Sequence, residues 1–449
     1  MEMIVQVTME VKIPTDRCNI NEIFDAVSKA RDAYAEKLAL TVIEAYQQQV
    51  VQTLCRPSGL VAKKGLGLHE AKGSAGRRCR CRRFKRAGYW SDVREFASDV
   101  GSIAFRPALI ACRRCGKRIT PILGALELDG YQSKTDQLFR KTMEAIAETS
   151  YRRSSEQLEV LTHVPVAKST LHRWAASVDW PVSEGTGPPF LLADGTGFKR
   201  QPGQRGEVRM VLEMAENGTF RPLGVWAGTD WQAISRQLKA RLKGPPELLM
   251  SDGERGIERW LSGLPRGTAR CHWHFPRGSS YLLWKEKVPL AERKDVLRRI
   301  RRLLAIEIPQ EDMEVVSRED KEALRERIAS SEAELYRLHE DFAQKGYSKA
   351  ADYFDRARHR LFSHLRLWLQ TGIVAPRTTS LIENIIRELV RRLKKVGWNW
   401  SDAGATRMGR MVMIRRYDSE SWRRYWQSRM NLQGRCDIKL LKWEISHAA

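Results

Sequence analysis

The first fourteen residues, MEMIVQVTMEVKIP, alternate apolar and polar side chains, the period-two pattern of a half-buried strand. The pattern then changes. Over NINEIFDAVSKARDAYAEKLALTVIEAYQQQVVQTL apolar residues recur at helical spacing, which predicts one long helix over 20–54, entered from an Asn cap. Its default role is packing or dimerisation. Residues 56–78 hold Gly, Lys and Arg without periodicity and read as a flexible basic linker. Further on, SYRRSSEQLEVLTHVPVAKSTLHRWAASV predicts two short helices, 154–161 and 168–178, about the tight turn THVPVA.

From residue 182 the pattern is that of strands. FLLADGTGF is one, and EVRMVLEMAENGTFRPLGVWAG is a pair turning at Asn217-Gly218, a strong hairpin signal. DWQAISRQLKARL predicts a helix, PELLMSDG a strand ending in Asp252, and GTARCHWHF a fifth strand after another helix. The order strand–strand–strand–helix–strand–helix–strand is that of an RNase H-like domain. Residues 285–372, poor in Gly and rich in Leu, Arg and Glu at helical spacing, read as an all-helical insertion. A basic amphipathic helix, a Trp-rich turn and a further helix follow. The fold class is multidomain α+β and α/β. Its parts are a strand and long helix (1–55), a linker with a ribbon-like segment (56–128), a helical hairpin region (129–181), a core (182–284), its insertion (285–374), and the last of the core with C-terminal helices (375–449).

Charge narrows the function. The 449 residues are 42% hydrophobic, which allows a sizeable core, and 78 Lys+Arg outweigh 54 Asp+Glu to leave a net charge of +24. That is the electrostatic footprint of a nucleic-acid binder. An anionic-membrane or ribosomal protein fits less well with so long and so patterned a chain. No stretch approaches the roughly 18 apolar residues of a membrane span, and the first residues lack the regions of a signal peptide. An intracellular protein is expected, so its eight cysteines read as thiols or metal ligands.

Cys79 and Cys81 form a CxC, and Cys112 and Cys115 a CxxC followed by Gly-Lys. Thiolates so spaced can grip one tetrahedral Zn²⁺. Cys55 can replace a member of the CxC half, and unligated thiols are the alternative. In the helical hairpin, Ser169, Thr170, His172 and Arg173 suit phosphate and base-edge contacts, as in a DNA-binding helix-turn-helix. An ordinary αα-hairpin is the other reading. His163 and His172 read as surface residues.

Asp194 and Asp252 each close a predicted central strand and each precede a Gly, which leaves room for a ligand. If those strands are neighbours, the two charges repel unless divalent metal neutralises them. Glu383, in TTSLIENIIREL after a Thr-Thr-Ser cap, is the candidate third carboxylate, while Glu388 points to a different face. Two metals about 3.5–4 Å apart can activate a nucleophilic oxygen and stabilise the leaving oxygen of a phosphodiester. Oxygen ligands suit Mg²⁺, with Mn²⁺ as substitute. Glu254 reads as a first-turn acid complementing a helix dipole. Arg391, Arg392, Lys394 and Lys395 follow Glu383 on one basic helix and can hold a DNA backbone. Trp398 and Trp400 read either as platforms for an unpaired base or as core residues.

LLADGTG, LLMSDGERG, RCHWHF and TTSLIENIIRELVRRLKKVGWNWSDAGATRM together resemble the Mutator-type superfamily of DDE transposases from bacterial insertion sequences, over residues 185–415. The most specific element is the C-x-x-H of Cys271 and His274. His272 and the surrounding aromatics depart from the usual pattern. The resemblance implies that Asp194, Asp252 and Glu383 are a metal-binding catalytic triad, and that Cys271 and His274 have a structural or DNA-contacting role beside it. A Cys–His pair alone lacks the further ligands a zinc site requires. It further implies a cytoplasmic, nucleoid-associated bacterial protein that binds terminal inverted repeats and target DNA, at least as a homodimer. The implied reactions are strand cleavage and transfer by two Mg²⁺, with no Ser or Tyr nucleophile. The alternatives are an RNase H-like nuclease without strand transfer and a non-catalytic, transposase-derived DNA-binding protein.

Overall fold

The computed structural model describes residues 19–56, 83–128, 132–181, 185–187, 189–309, 313–395 and 399–431. The strand expected over 1–14 and nearly all of the linker lie outside them. The chain is mixed α+β and divides into two units, Met1–Ala175 with Trp426–Ala449, and Ala176–Tyr425.

In the first unit, α1 (Ile20–Cys55) starts at the Asn expected to cap it. The Asn19 side chain accepts the N–H groups of Asn21 and Glu22, and Glu22 reaches back to the Asn19 N–H, a complete capping box. Only the second half of α1 is buried, where Val50, Val51 and Leu54 pack on Ala108, Ile110 and Ile119. Those partners come from an antiparallel sheet in which β4 (Ala108–Cys112) lies between β1 (Phe84–Tyr89) and β5 (Arg118–Ile119). A separate hairpin joins β2 (Arg94–Ser98) and β3 (Gly101–Phe105). Helices α2 (Pro121–Ala125), α3 (Asp136–Glu148), α4 (Tyr151–Thr162) and α5 (Lys168–Ala176) follow. The predicted helical pair is α4 and α5. Helix α4 begins three residues before its predicted start because Ser150 caps it by accepting the Arg153 N–H.

The second unit is built on a five-stranded sheet of order β10-β9-β6-β7-β8. Strands β6 (Phe190–Arg200), β7 (Gln204–Met214) and β8 (Phe220–Ala227) form an antiparallel meander, and β9 (Leu248–Ser251) and β10 (Gly267–Arg270) run parallel to β6. The Asn217-Gly218 turn is present, with Gly218 at φ +80° and Asn217 accepting the Thr219 N–H. FLLA of β6 is fully buried, as expected of a strand covered on both faces. On one face, α6 (Trp231–Lys239) and α7 (Arg255–Trp260) bring Ile234, Leu238 and Ile257 against Leu191, Ala193 and Val211.

Helices α8 (His274–Lys285), α9 (Leu290–Leu304), α10 (Arg318–Gln344), α11 (Ser348–Leu361) and α12 (Ser363–Thr371) share a core of their own, including Phe275, Leu335, Phe342, Phe354 and Trp368. The stretch expected to be an all-helical insertion is therefore helical. The chain returns to the sheet through α13 (Ser380–Val390), which packs on β6, a π-helical turn (Arg391–Lys395), and α14 (Asp402–Tyr417), which packs on β8. No described helix is long and apolar enough to cross a membrane.

Candidate active site

Two of the sequence expectations about strand ends need correction. Strand β6 does not stop at Asp194; it continues to Arg200, because β7 pairs with it along its whole length. What stops is β9. The last registered β6–β9 pair is Ala193 with Ser251, so Asp194 and Asp252 are the next residue on each of two adjacent parallel strands. Neighbouring strands lie roughly 4.8 Å apart, which sets both carboxylates side by side at the edge where the sheet loses a strand. GTARCHWHF is likewise not all strand. Strand β10 ends at Arg270, and Cys271 to Trp273 turn into α8, whose first residue is His274.

Glu383 arrives from the other direction, in the first turn of α13. The three acids feel one another. The Asp194 carboxyl is pushed up to about 7, first by burial and then by the charge of Asp252, with Glu383 adding to the effect. The Gly195 N–H and His274 work in the opposite sense. His274 is the one cationic group among these main influences on Asp194. Uncompensated charge in hard oxygen donors is the condition a divalent cation relieves.

Glu254 is more than a dipole-complementing surface acid. It occupies the N-cap position of α7, accepts the Trp231 indole N–H at 2.7 Å, and donates its backbone N–H to Asp252 Oδ1 at 2.8 Å. Burial raises its pKa, and the charge of Asp252 contributes. Between the two acids sits Gly253 at φ +85°, with the Arg270 guanidinium where a Cβ would be.

Cys271 and His274 meet Glu383 through Thr379, one residue of the expected Thr-Thr-Ser helix cap. Thr379 makes no capping bond with its side chain. Its hydroxyl lies 2.9 Å from Glu383 Oε1, 3.1 Å from His274 Nδ1 and 3.3 Å from Cys271 Sγ, and its N–H donates to the same sulfur at 3.3 Å. Cys271 and Thr379 are fully buried. His274 Nδ1 is itself 3.7 Å from Glu383 Oε1. Among the described residues, Cys271, His274 and Glu383 are the group of three that can hold a metal ion, with ligand atoms all within 4.8 Å of one another. The third ligand missing from the Cys–His pair is thus present, more than a hundred positions away in the chain. Burial opposes ionising the Cys271 thiol, but hydrogen bonds from His274 and Thr379 outweigh it and lower its pKa. His274 is raised in turn: burial disfavours its charge, and Cys271, Glu383 and Asp252 more than offset that.

His272, between Cys271 and Trp273, bonds back into the helical block. It is half-buried, its Nε2–H donates to the Leu361 carbonyl at 2.6 Å, and its ring meets that of His364 edge-on. Burial keeps it neutral, its pKa lowered to about 4. Trp273, beside it, is 49% exposed with the Arg277 guanidinium over its ring.

The remaining candidates separate. Ser169, His172 and Arg173 are exposed on α5 and Thr170 is half-buried, while His163 is exposed and paired with Asp32. Lys394 and Lys395 are exposed, but Arg392 is buried with its guanidinium over the Trp400 ring, and Arg391 bonds Glu388. Neither Arg392 nor Trp400 is therefore placed to meet DNA. Trp400 is a core residue whose backbone N–H donates to the Lys199 carbonyl. Trp398, Cys79 and Cys81 lie outside the described residues. Cys112 ends β4, and its sulfur accepts the N–H groups of Arg114 and Cys115 at 3.3 and 3.4 Å.

Compared with known protein families and with curated proteins, the chain matches none.

Proposed function

We propose that the chain is a DDE transposase that binds the ends of its mobile element and carries out metal-dependent DNA cleavage and strand transfer. The observation that carries this reading is the pairing of Asp194 with Asp252 just beyond the last β6–β9 pair, with Glu383 acting on Asp194 from α13. A three-stranded meander, two further parallel strands and helices on both faces support an RNase H-like core.

Asp194, Asp252 and Glu383 would hold Mg²⁺ or Mn²⁺. Bound there, two such ions supply an activated nucleophilic oxygen and a stabilised leaving oxygen at phosphorus. The chain's own contribution is placement. Two acids are fixed by strand register, and the third is held by the Thr379 hydroxyl. Lys394 and Lys395, exposed beyond α13, are suited to the phosphate backbone, and exposed Ser169, His172 and Arg173 to the element ends. Counterion release from a chain of net charge +24 supplies affinity without sequence preference. The partners are double-stranded DNA and a second copy of the chain, in a cytoplasmic, nucleoid-associated setting.

A strand-transfer assay tests this reading. Pre-cleaved duplex ends from the DNA flanking the coding sequence should be joined to a plasmid target in Mg²⁺. Cleavage without joining would leave a nuclease, and binding without either would leave a DNA-holding protein.

A further inference from the structure

Cys271 and His274 take no part in the phosphodiester chemistry above, yet they gather with Glu383 into one group of sulfur, nitrogen and oxygen donors. Thiolate and imidazole donors select Zn²⁺, Co²⁺ or Cd²⁺ over Mg²⁺, and three protein ligands with one open position is a familiar zinc arrangement. The ligand atoms are already within 4.8 Å of one another. Their support is also in place. Thr379 touches all three, its N–H fixes the sulfur, and the Cys271 backbone N–H is held by the Ser251 carbonyl at 2.9 Å. Such outer partners orient ligands before an ion arrives.

We propose that Cys271, His274 and Glu383 form a second site, for a thiophilic divalent cation of the zinc class. It shares Glu383 with the carboxylate cluster. A zinc-class ion that engages Glu383 removes it from the cluster and so opposes the Mg²⁺-dependent reaction. This inhibitory half rests on the function proposed above; the binding half does not.

The test uses the full chain loaded with Cd²⁺, followed by cadmium NMR and by metal content per chain. A resonance from one sulfur with nitrogen and oxygen ligands should appear in wild type and in Asp252→Asn. It should vanish in Cys271→Ser, and Cd²⁺ affinity should fall more than about tenfold in Glu383→Gln. Equal Cd²⁺ content and affinity in wild type and a folded Cys271→Ser would overturn the proposal. If Cys271→Ser does not fold, the half-buried Glu383→Gln decides, and unchanged affinity there overturns it equally. Zn²⁺ should inhibit Mg²⁺-dependent nicking by wild type, with the inhibition constant raised at least about tenfold in Cys271→Ser. A cadmium site in a protein that never nicks DNA would uphold the binding half and reject the functional reading instead.

Discussion

At Asp194, burial and the neighbouring charge of Asp252 make ionisation harder in the folded chain than in the unfolded one. The folded state therefore binds that proton more tightly, and stability contributed by the protonated carboxyl is lost as pH rises. With divalent ions chelated, thermal stability should fall as pH climbs from the ordinary 3.8 of the carboxyl to about 7. Asp194→Asn should flatten the curve across that window. Mg²⁺ favours the ionised acid, so the stabilisation it gives wild type should grow over the same range. Melting curves with and without chelator check all three expectations, and an Asn variant with the wild-type slope would refute the coupling.

The elements around the acids make their own demands. Gly253 adopts φ +85°, and an added Cβ would fall 0.5 Å from Arg270 Nη1. Gly253→Ala should therefore cost more than about 2 kcal/mol by urea denaturation and reduce any activity that depends on Asp252. Glu258 of α7 receives Arg270 of β10 at 3.1 Å and Arg356 and Arg360 of α11 each at 2.8 Å. It ties the helical block to the sheet. Glu258→Ala removes the carboxylate partner of buried Arg270, a loss of roughly 3–5 kcal/mol; a change within error in the unfolding free energy would argue against that role.

Much of this level was legible in the sequence. Period and cap residues located α1, the β7–β8 hairpin and the all-helical stretch, because each depends on local pattern. Asp194 and Asp252 could be nominated from an apolar run ending in Asp-Gly. The extension of β6 past Asp194 was hidden, since it depends on β7 pairing and overrides the glycines at 195 and 197. Thr379 was hidden for another reason: TTS before a helix reads as a cap, and only tertiary contact with Cys271 and His274 turns its hydroxyl elsewhere. Arg392 looked available for DNA because periodicity does not distinguish a basic helix face from a buried one, whereas Trp400 allowed both readings and is a core residue.

Across the whole molecule, a net charge of +24 predicts that affinity for any duplex depends steeply on salt. Between 50 and 200 mM salt it should drop by about 10³ or more if six or more phosphates are neutralised, which filter binding or anisotropy reads directly. A flat response would mean that the positive charge is not turned toward DNA. The most direct test of the central claim joins charge to chemistry. Wild type and Asp194→Ala would be incubated with Mg²⁺ and duplexes spanning the DNA on either side of the coding sequence, and nicking and binding measured together. Wild type should nick at a defined position in a Mg²⁺-dependent way, and Asp194→Ala should lose nicking while binding persists. Binding by both proteins with cleavage by neither would contradict it.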